Sequence, residues 1–263
     1  MPERVAVITG AARGIGAETA VRLASDGWRL VLVDRCKDDP ALEYSLATED
    51  DLQATCHECG GDDRAVAVVA DARAQAALDD AVVTAVSRFG GLDAAVAAAG
   101  AIVGGQPSWT TGDESWNAMM TINLEGVWRL ANAAVPALLA RPRPRQGRFV
   151  AVASAGGMRG LPLLAAYSAA KHGVIGLVRS LAAELGPEGI TANAIAPGST
   201  TTAMLDASAA VYGIDPKDFA RDHQLGRLIE PAEVAAMIAW VCSPDSAAVT
   251  GAVLPVDAGM TAS

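Results

Sequence analysis

The sequence is short of positive charge, of cysteine and of long apolar runs. Lysine and arginine number 20 against 30 aspartates and glutamates, giving a net charge of −10 and a pI near 4.7. Nucleic-acid surfaces and polybasic membrane patches need clustered positive charge, so neither partner is expected. No apolar run reaches the ~18 residues of a membrane-spanning helix. The longest, Ala94–Val103, is interrupted by Gly100. The opening Met-Pro-Glu-Arg lacks the apolar core of a secretion signal, so a cytoplasmic protein is the expectation. The cysteines are Cys36, Cys56, Cys59 and Cys242. Cys56-His57-Glu58-Cys59 has C-x-x-C spacing, yet a closed zinc site needs four ligands, and no second C-x-x-C or H-x-x-x-H is present. A thioredoxin-type pair follows a strand and opens a helix, whereas this one closes a helical stretch and runs into Gly60-Gly61. Reduced surface thiols and no metal are expected.

Hydrophobic residues make up 51% of the chain and charged ones 19%, which excludes intrinsic disorder. Strand-like runs occur at Arg4–Thr9, Trp28–Asp34, Ala65–Ala70, Leu92–Ala98, Phe149–Ala153, Thr191–Ile195 and Gly251–Val256. Helical stretches fall at 14–26, 74–89, 113–140, 165–186 and 230–242. Alternation of this kind predicts an α/β fold: a Rossmann-type, doubly wound, seven-stranded parallel sheet with helices on both faces. With 263 residues, no repeat and no linker, residues 1–263 read as a single domain. Two stretches interrupt the pattern. Residues 36–51 are longer than a usual strand–helix connection and end in Thr48 before Glu49, Asp50 and Asp51, an N-cap with an acidic first turn. Residues 141–147 alternate proline and arginine. They read as a solvated loop, with an acid-binding surface as the alternative.

Thr9-Gly10-Ala11-Ala12-Arg13-Gly14-Ile15-Gly16 follows the first strand and opens a helix. Gly10 permits a tight turn, while Gly14 and Gly16 let backbone approach a pyrophosphate at the helix N-terminus. Asp34 closes the second strand, where a carboxylate can accept from both ribose hydroxyls and would repel a 2′-phosphate. Arg13 and Arg35 argue the other way, because either could pair with a phosphate. The carboxylate decides for NAD over NADP. Tyr167 and Lys171 are four residues apart in a predicted helix and share one face. A neighbouring ammonium and a nicotinamide cation both favour the phenolate, so this tyrosine is expected to titrate below its usual ~10 and to exchange a proton with a substrate oxygen. Ser154 ends the fifth strand at the C-terminal sheet edge, where doubly wound folds bind ligands. Asn123, an amide before Gly126 in an apolar helix, marks a backbone distortion with a bound water.

Taken together these residues resemble the classical short-chain dehydrogenases/reductases, over about residues 3–260. Thr9–Gly16 is similar to the family's T-G-x-x-x-G-x-G. Asn123, Ser154, Tyr167 and Lys171 stand in the order and spacing of its catalytic tetrad. Asp71 matches the acid that contacts adenine, and Pro197–Thr202 matches the P-G-x-x-x-T segment along the nicotinamide. Pro231–Trp240 and Asp257-Ala-Gly259 also fit. The family's N-N-A-G is Ala97-Ala98-Ala99-Gly100 here, which removes amide hydrogen bonds and puts local rigidity in question. Cofactor contacts are implied at Gly10, Arg13, Gly14, Ile15, Gly16, Asp34, Arg35, Asp71, Ala72, Ala99, Gly100, Tyr167, Lys171, Pro197, Gly198, Thr200 and Thr202.

The resemblance implies oxidoreductase activity, with hydride passing between NAD and a secondary alcohol or ketone. Ser154 would hold the substrate oxygen, Tyr167 would act as base, Lys171 would bind the nicotinamide ribose, and Asn123 would hold a water. The 36–51 insertion, Ala97–Gly100, Arg148–Ser154 and Pro197–Thr200 further resemble a mycofactocin-coupled, carveol-dehydrogenase-like branch. There NAD is held without exchange and the peptide mycofactocin reoxidises it. Pro40, Leu42, Tyr44 and Leu46 would anchor the insertion as a lid over the adenosine half. The candidate substrate pocket is Ile102, Trp109, Met158, Leu161, Leu163, Met204 and Tyr212, with loops 154–163 and 198–215 expected to flank the site. Its apolar character points to a small hydrophobic alcohol such as a terpenoid. The helices at 113–140 and 165–186 carry more apolar residues than one sheet face covers, so a homotetramer with two two-fold contacts is expected. The alternatives are an NADP-dependent 3-oxoacyl reductase of the same fold and a non-catalytic dinucleotide-binding protein.

Overall fold

The computed structural model describes residues 3–262. Met1 and Pro2, at the start of the segment read for a secretion signal, and Ser263 lie outside them. Its strands are β1 (Val5–Thr9), β2 (Arg29–Asp34), β3 (Ala65–Val69), β4 (Ala94–Ala97), β5 (Arg148–Val152), β6 (Thr191–Pro197) and β7 (Val253–Val256). All pair in parallel, in the order β3-β2-β1-β4-β5-β6-β7. The reason lies in the runs themselves. In β1, Val5 and Val7 enter one core while Ala6 and Ile8 enter the other, so both faces must be covered. Helices α3 (Gln75–Phe89), α5 (Gly126–Ala140) and α6 (Ala165–Leu185) cover the first face through Leu78, Leu130 and Val174. Helices α1 (Gly14–Ser25), α2 (Glu49–Glu58) and α8 (Pro231–Cys242) cover the second through Leu23, Leu52 and Ile238.

Strand order reverses between β1 and β4, which opens a crevice at their C-terminal ends. The ends touch there: a Cβ on Gly10, whose φ is +70°, would lie 2.6 Å from the Ala99 nitrogen. Thr48 caps α2 as expected, accepting from the Asp51 N–H while Asp51 accepts from the Thr48 N–H, at 3.2 and 2.8 Å.

Three expectations and one alternative reading need correction. The 113–140 helix is not uniform. Helix α4 (Asp113–Met120) passes through a π turn, Thr121–Glu125, into α5, and the distortion foreseen at Asn123 is this turn. Residues 198–215 are not all loop. Ala203–Tyr212 is a helix, α7, built of good helix formers and stopped by Gly213 in the left-handed region at φ +64°. Cys56 and Cys59 are not surface thiols. Both are buried against β2 and β3, and Cys56 Sγ donates to the Ala65 carbonyl. The arginines of 141–147 are spent within the chain, Arg141 on Asp93 and both Arg143 and Arg145 on Glu188, so that loop offers no free acid-binding surface. Among the described residues no helix is long and apolar enough to cross a membrane.

Candidate active site

The turn from β1 into α1 supplies the base of the crevice. A Cβ on Gly16 would lie 1.9 Å from the Gly10 carbonyl oxygen, so glycine there closes the turn on itself. Arg13, the N-cap of α1, gives the helix no side-chain cap, and Gly14, Ile15 and Gly16 line the crevice with that uncapped N-terminus. This is an anion cradle without an anion-competing side chain. Asp34 stands across from it. Its carboxylate accepts from the Ala12 and Cys36 N–H groups, at 3.1 and 3.4 Å. Asp71, Ala72, Ala99 and Gly100 complete a cavity of about 400 Å³. These residues fit a dinucleotide with a free ribose 2′-hydroxyl.

The 36–51 insertion lies along this cavity as a strap. Leu42, Tyr44, Leu46 and Ala47 line it. Three fasteners hold the strap. At its base Asp39, 5% exposed, pairs with Arg35 and with Arg73 at 2.8 Å, and Arg73 also pairs with Asp71 at 2.7 Å. Burial works to raise the Asp39 carboxyl, but the Ala41 N–H and the two guanidiniums outweigh it and hold it below the ordinary carboxylate range. In the middle Arg13 donates to the Ser45 carbonyl at 2.8 Å. At the far end Tyr44 Oη accepts from the Ile102 N–H at 3.0 Å. Both arginines that might have paired with a 2′-phosphate are thereby committed to the strap. Pro40 is exposed and is not an anchor; the buried residue beside it is Asp39.

At the other end of the crevice Ser154, Tyr167 and Lys171 come together. Ser154, at the turn after β5, accepts from the Gly156 N–H at 3.0 Å, and its hydroxyl stands close enough to Tyr167 to pull the phenol's pKa down. Lys171 Nζ donates to the Val152 carbonyl at 2.9 Å and sits 5.8 Å from the Tyr167 ring centroid. Asn123 is fully buried. Its side chain grips the peptide of Ala101 from both sides, accepting from the N–H at 3.1 Å and donating to the carbonyl at 3.0 Å. That clamp, with the Ala98 and Ala99 N–H groups bonded to Thr9, does the steadying that the missing asparagines of Ala97–Gly100 leave undone. It also engages both ends of the Asn123 amide with protein atoms.

The acidity of Tyr167 runs opposite to the expectation. Burial pushes the phenol up, the Ser154 hydrogen bond pulls it down, and nearby Tyr44 pushes it up further. Burial likewise brings Lys171 down to about 8. Burial thus shifts both groups toward their neutral forms, while Lys171 remains an ammonium at neutral pH. A measurable consequence follows. Between that value and the ordinary 10.5 the unfolded chain keeps a proton that the folded chain has released, so stability rises with pH across the window. Denaturation of the cofactor-free protein should show wild type gaining about 2 kcal/mol on Lys171→Met between pH 7.5 and 9.5. Parallel curves would show that Lys171 is not buried as a charge.

Beside the Ser154–Tyr167 pair opens a second cavity of about 590 Å³, walled on one side by Pro197, Gly198, Thr200 and Thr202. Ile102, Leu161, Met204 and Tyr212 line it as expected. Met158 does not. It is 41% exposed at the end of the Ala155–Gly157 turn. Trp109 is 86% exposed, and Leu163 also lies off the lining. Phe219 and Met260, which no local pattern marks, take their place. Among the described residues no group of His, Cys, Asp or Glu is placed to hold a metal.

Comparison with known proteins agrees with this geometry. The family model described as enoyl-(acyl carrier protein) reductase matches residues 10–261. A (−)-trans-carveol dehydrogenase of Rhodococcus erythropolis is 37% identical, over 98% of this chain and 97% of its own. The chain belongs to the short-chain dehydrogenase/reductase family. A solved carveol dehydrogenase of Mycobacterium avium in complex with NAD superposes with a TM-score of 0.93 at 34% identity, covering 99% of this chain and 98% of the other. A short-chain dehydrogenase of Mycobacterium paratuberculosis bound to NAD gives 0.89 at 34% identity, covering 100% and 99%.

In this short-chain dehydrogenase/reductase the Asp39–Arg73 pair and the Tyr44–Ile102 bond were not foreseen. Each joins residues more than thirty positions apart, and only the excess of charge around Asp38–Asp39 and Asp71–Arg73 hinted at the first.

Proposed function

We propose that the protein oxidises a secondary alcohol to a ketone, reversibly, with NAD. The observation that carries this is the meeting of Ser154, Tyr167 and Lys171 at one end of a crevice whose other end presents Asp34 and an uncapped helix N-terminus. Bound NAD would accept the hydride, and its positive nicotinamide would supply the charge that burial denies the Tyr167 phenolate. Ser154 Oγ orients the substrate oxygen, Tyr167 Oη takes the hydroxyl proton, and Lys171 stands within reach to steady the phenolate and bind the ribose. The carboxylate of Asp34, and the engagement of Arg13 and Arg35 by the strap, favour NAD over the NADP of a 3-oxoacyl reductase. The intact constellation argues against a non-catalytic dinucleotide binder.

The apolar cavity suits a hydrophobic cyclic alcohol of terpenoid class, in keeping with the named relatives. The strap suits NAD that stays bound through turnover and is reoxidised in place, with mycofactocin as the electron carrier. Residues 1–263 act as one domain carrying the 36–51 insertion. The reading places it in the cytoplasm, a reducing compartment that suits four free thiols. It also includes a homotetramer. Exposed Trp116 and Trp128, on α4 and α5, would be covered by a second copy, and light scattering should give about four times 26.7 kDa. A mass of one chain at micromolar concentration would refute that assembly. The activity itself is tested by adding alicyclic secondary alcohols to the purified protein with NAD. Growth of reduced-nicotinamide absorbance supports the reading. Its failure with every alcohol, in protein shown to hold NAD, contradicts it.

A further inference from the structure

The chain has three histidines, and one of them, His223, is buried at 4% exposure behind the wall shared by both cavities. It follows the turn Pro216–Asp222, whose Asp218, Phe219 and Asp222 line the mouth of the substrate cavity. Its Nε2 accepts from the Ser199 N–H at 3.1 Å. Its Nδ1 lies 2.5 Å from the Arg227 carbonyl oxygen, to which it can only donate. Together the two bonds fix one neutral tautomer. The fit is close: a Cβ on Gly198 would stand 2.9 Å from Nε2.

We propose that His223 is a positioning residue for hydride transfer: as the neutral imidazole it holds Pro197–Thr202 against the nicotinamide. The proposal rests on the reading of that segment as the nicotinamide wall. A proton on Nε2 would set donor against donor at Ser199 and release the segment. The closing segment presents Asp257, close enough for its charge to be felt. Burial works to raise that carboxyl, and bonds from Thr261 and Gly259 outweigh it and keep it ionised. Nearby, the Arg227 guanidinium is engaged with Glu233 of α8, and Arg221 pairs with Asp218.

Two variants separate the contacts. His223→Gln can place an oxygen near the Nε2 position and accept from Ser199, whereas His223→Asn can serve Arg227 but leaves Ser199 without an acceptor. His223→Asn is expected to lower the single-turnover rate about tenfold to a hundredfold with KM for the alcohol little changed, and His223→Gln should recover most of that loss. Amide hydrogen exchange in the cofactor-free protein provides a readout independent of activity. Protection at Ser199 should be high in wild type, low in His223→Asn and largely restored in His223→Gln. Ser199 protection that is equal in all three proteins would overturn the proposal, as would a wild-type rate in His223→Asn. If wild type itself transfers no hydride, the proposed function fails instead, and the Ser199 profile still reports on the His223 contact.

Discussion

Tyr167→Phe is expected to keep the fold and the bound cofactor and to lose nearly all turnover, at least about a thousandfold, within the range of general acid–base effects. The phenylalanine ring would occupy the same apolar cluster, beside Leu164, Ala166 and Met119. Only Oη goes, and Ser154 keeps the Gly156 N–H as partner. Fold is therefore little affected while the proton acceptor is gone. Single-turnover absorbance measures the loss, and thermal unfolding within a few degrees of wild type shows that structure is kept. A rate near wild type would remove Tyr167 from proton transfer. Lys171→Ala behaves differently: it should weaken cofactor binding as well as rate, because the ammonium serves both the ribose and the phenolate.

Deletion of residues 38–46 is expected to turn retained NAD into freely exchanging NAD. The deletion removes Asp39, Leu42, Tyr44 and the Ser45 carbonyl, and with them all three fasteners of the strap. Burying an apolar side chain of this size stabilises by ~1.5–3 kcal/mol before ordering costs. Each 1.4 kcal/mol confined to the closed state slows release about tenfold. Release should therefore quicken at least about a hundredfold, read by chasing bound NAD with labelled NAD. Wild type should purify with NAD bound, give little steady turnover with added NAD alone, and turn over repeatedly with an artificial acceptor dye. Wild type that arrives empty and saturates ordinarily with NAD would reduce the strap to a surface excursion and leave a conventional dehydrogenase.

The fold was legible because its signals are local and periodic. Buried parallel strands read as β-branched runs, the glycines of the phosphate loop sit at fixed offsets, and Tyr167 and Lys171 share a face by helical spacing. What stayed hidden depends on contacts distant in sequence. Nothing near Asp39 shows that Arg73 will meet it, and nothing near Ser199 shows that His223 will. Cys56 was misplaced because a short helix with charged neighbours looks solvated, although its inner face lies on the sheet. Helix α7 was missed because its alanine-rich sequence directly follows the Pro197–Thr202 segment, and the whole stretch was taken for a site loop. The direction of the Tyr167 shift was missed because burial, which a sequence does not display, outweighs the neighbours that it does.

Following a deuterium label tests the dehydrogenase assignment most directly. A cyclic secondary alcohol carrying deuterium on the carbinol carbon is mixed with the native protein, and the nicotinamide is then released and its mass measured. Transfer of one deuterium from carbon to nicotinamide, lost in Tyr167→Phe at the same cofactor occupancy, is the expected result. Nicotinamide that stays unlabelled in wild type, with NAD bound and alcohol in excess, would contradict it.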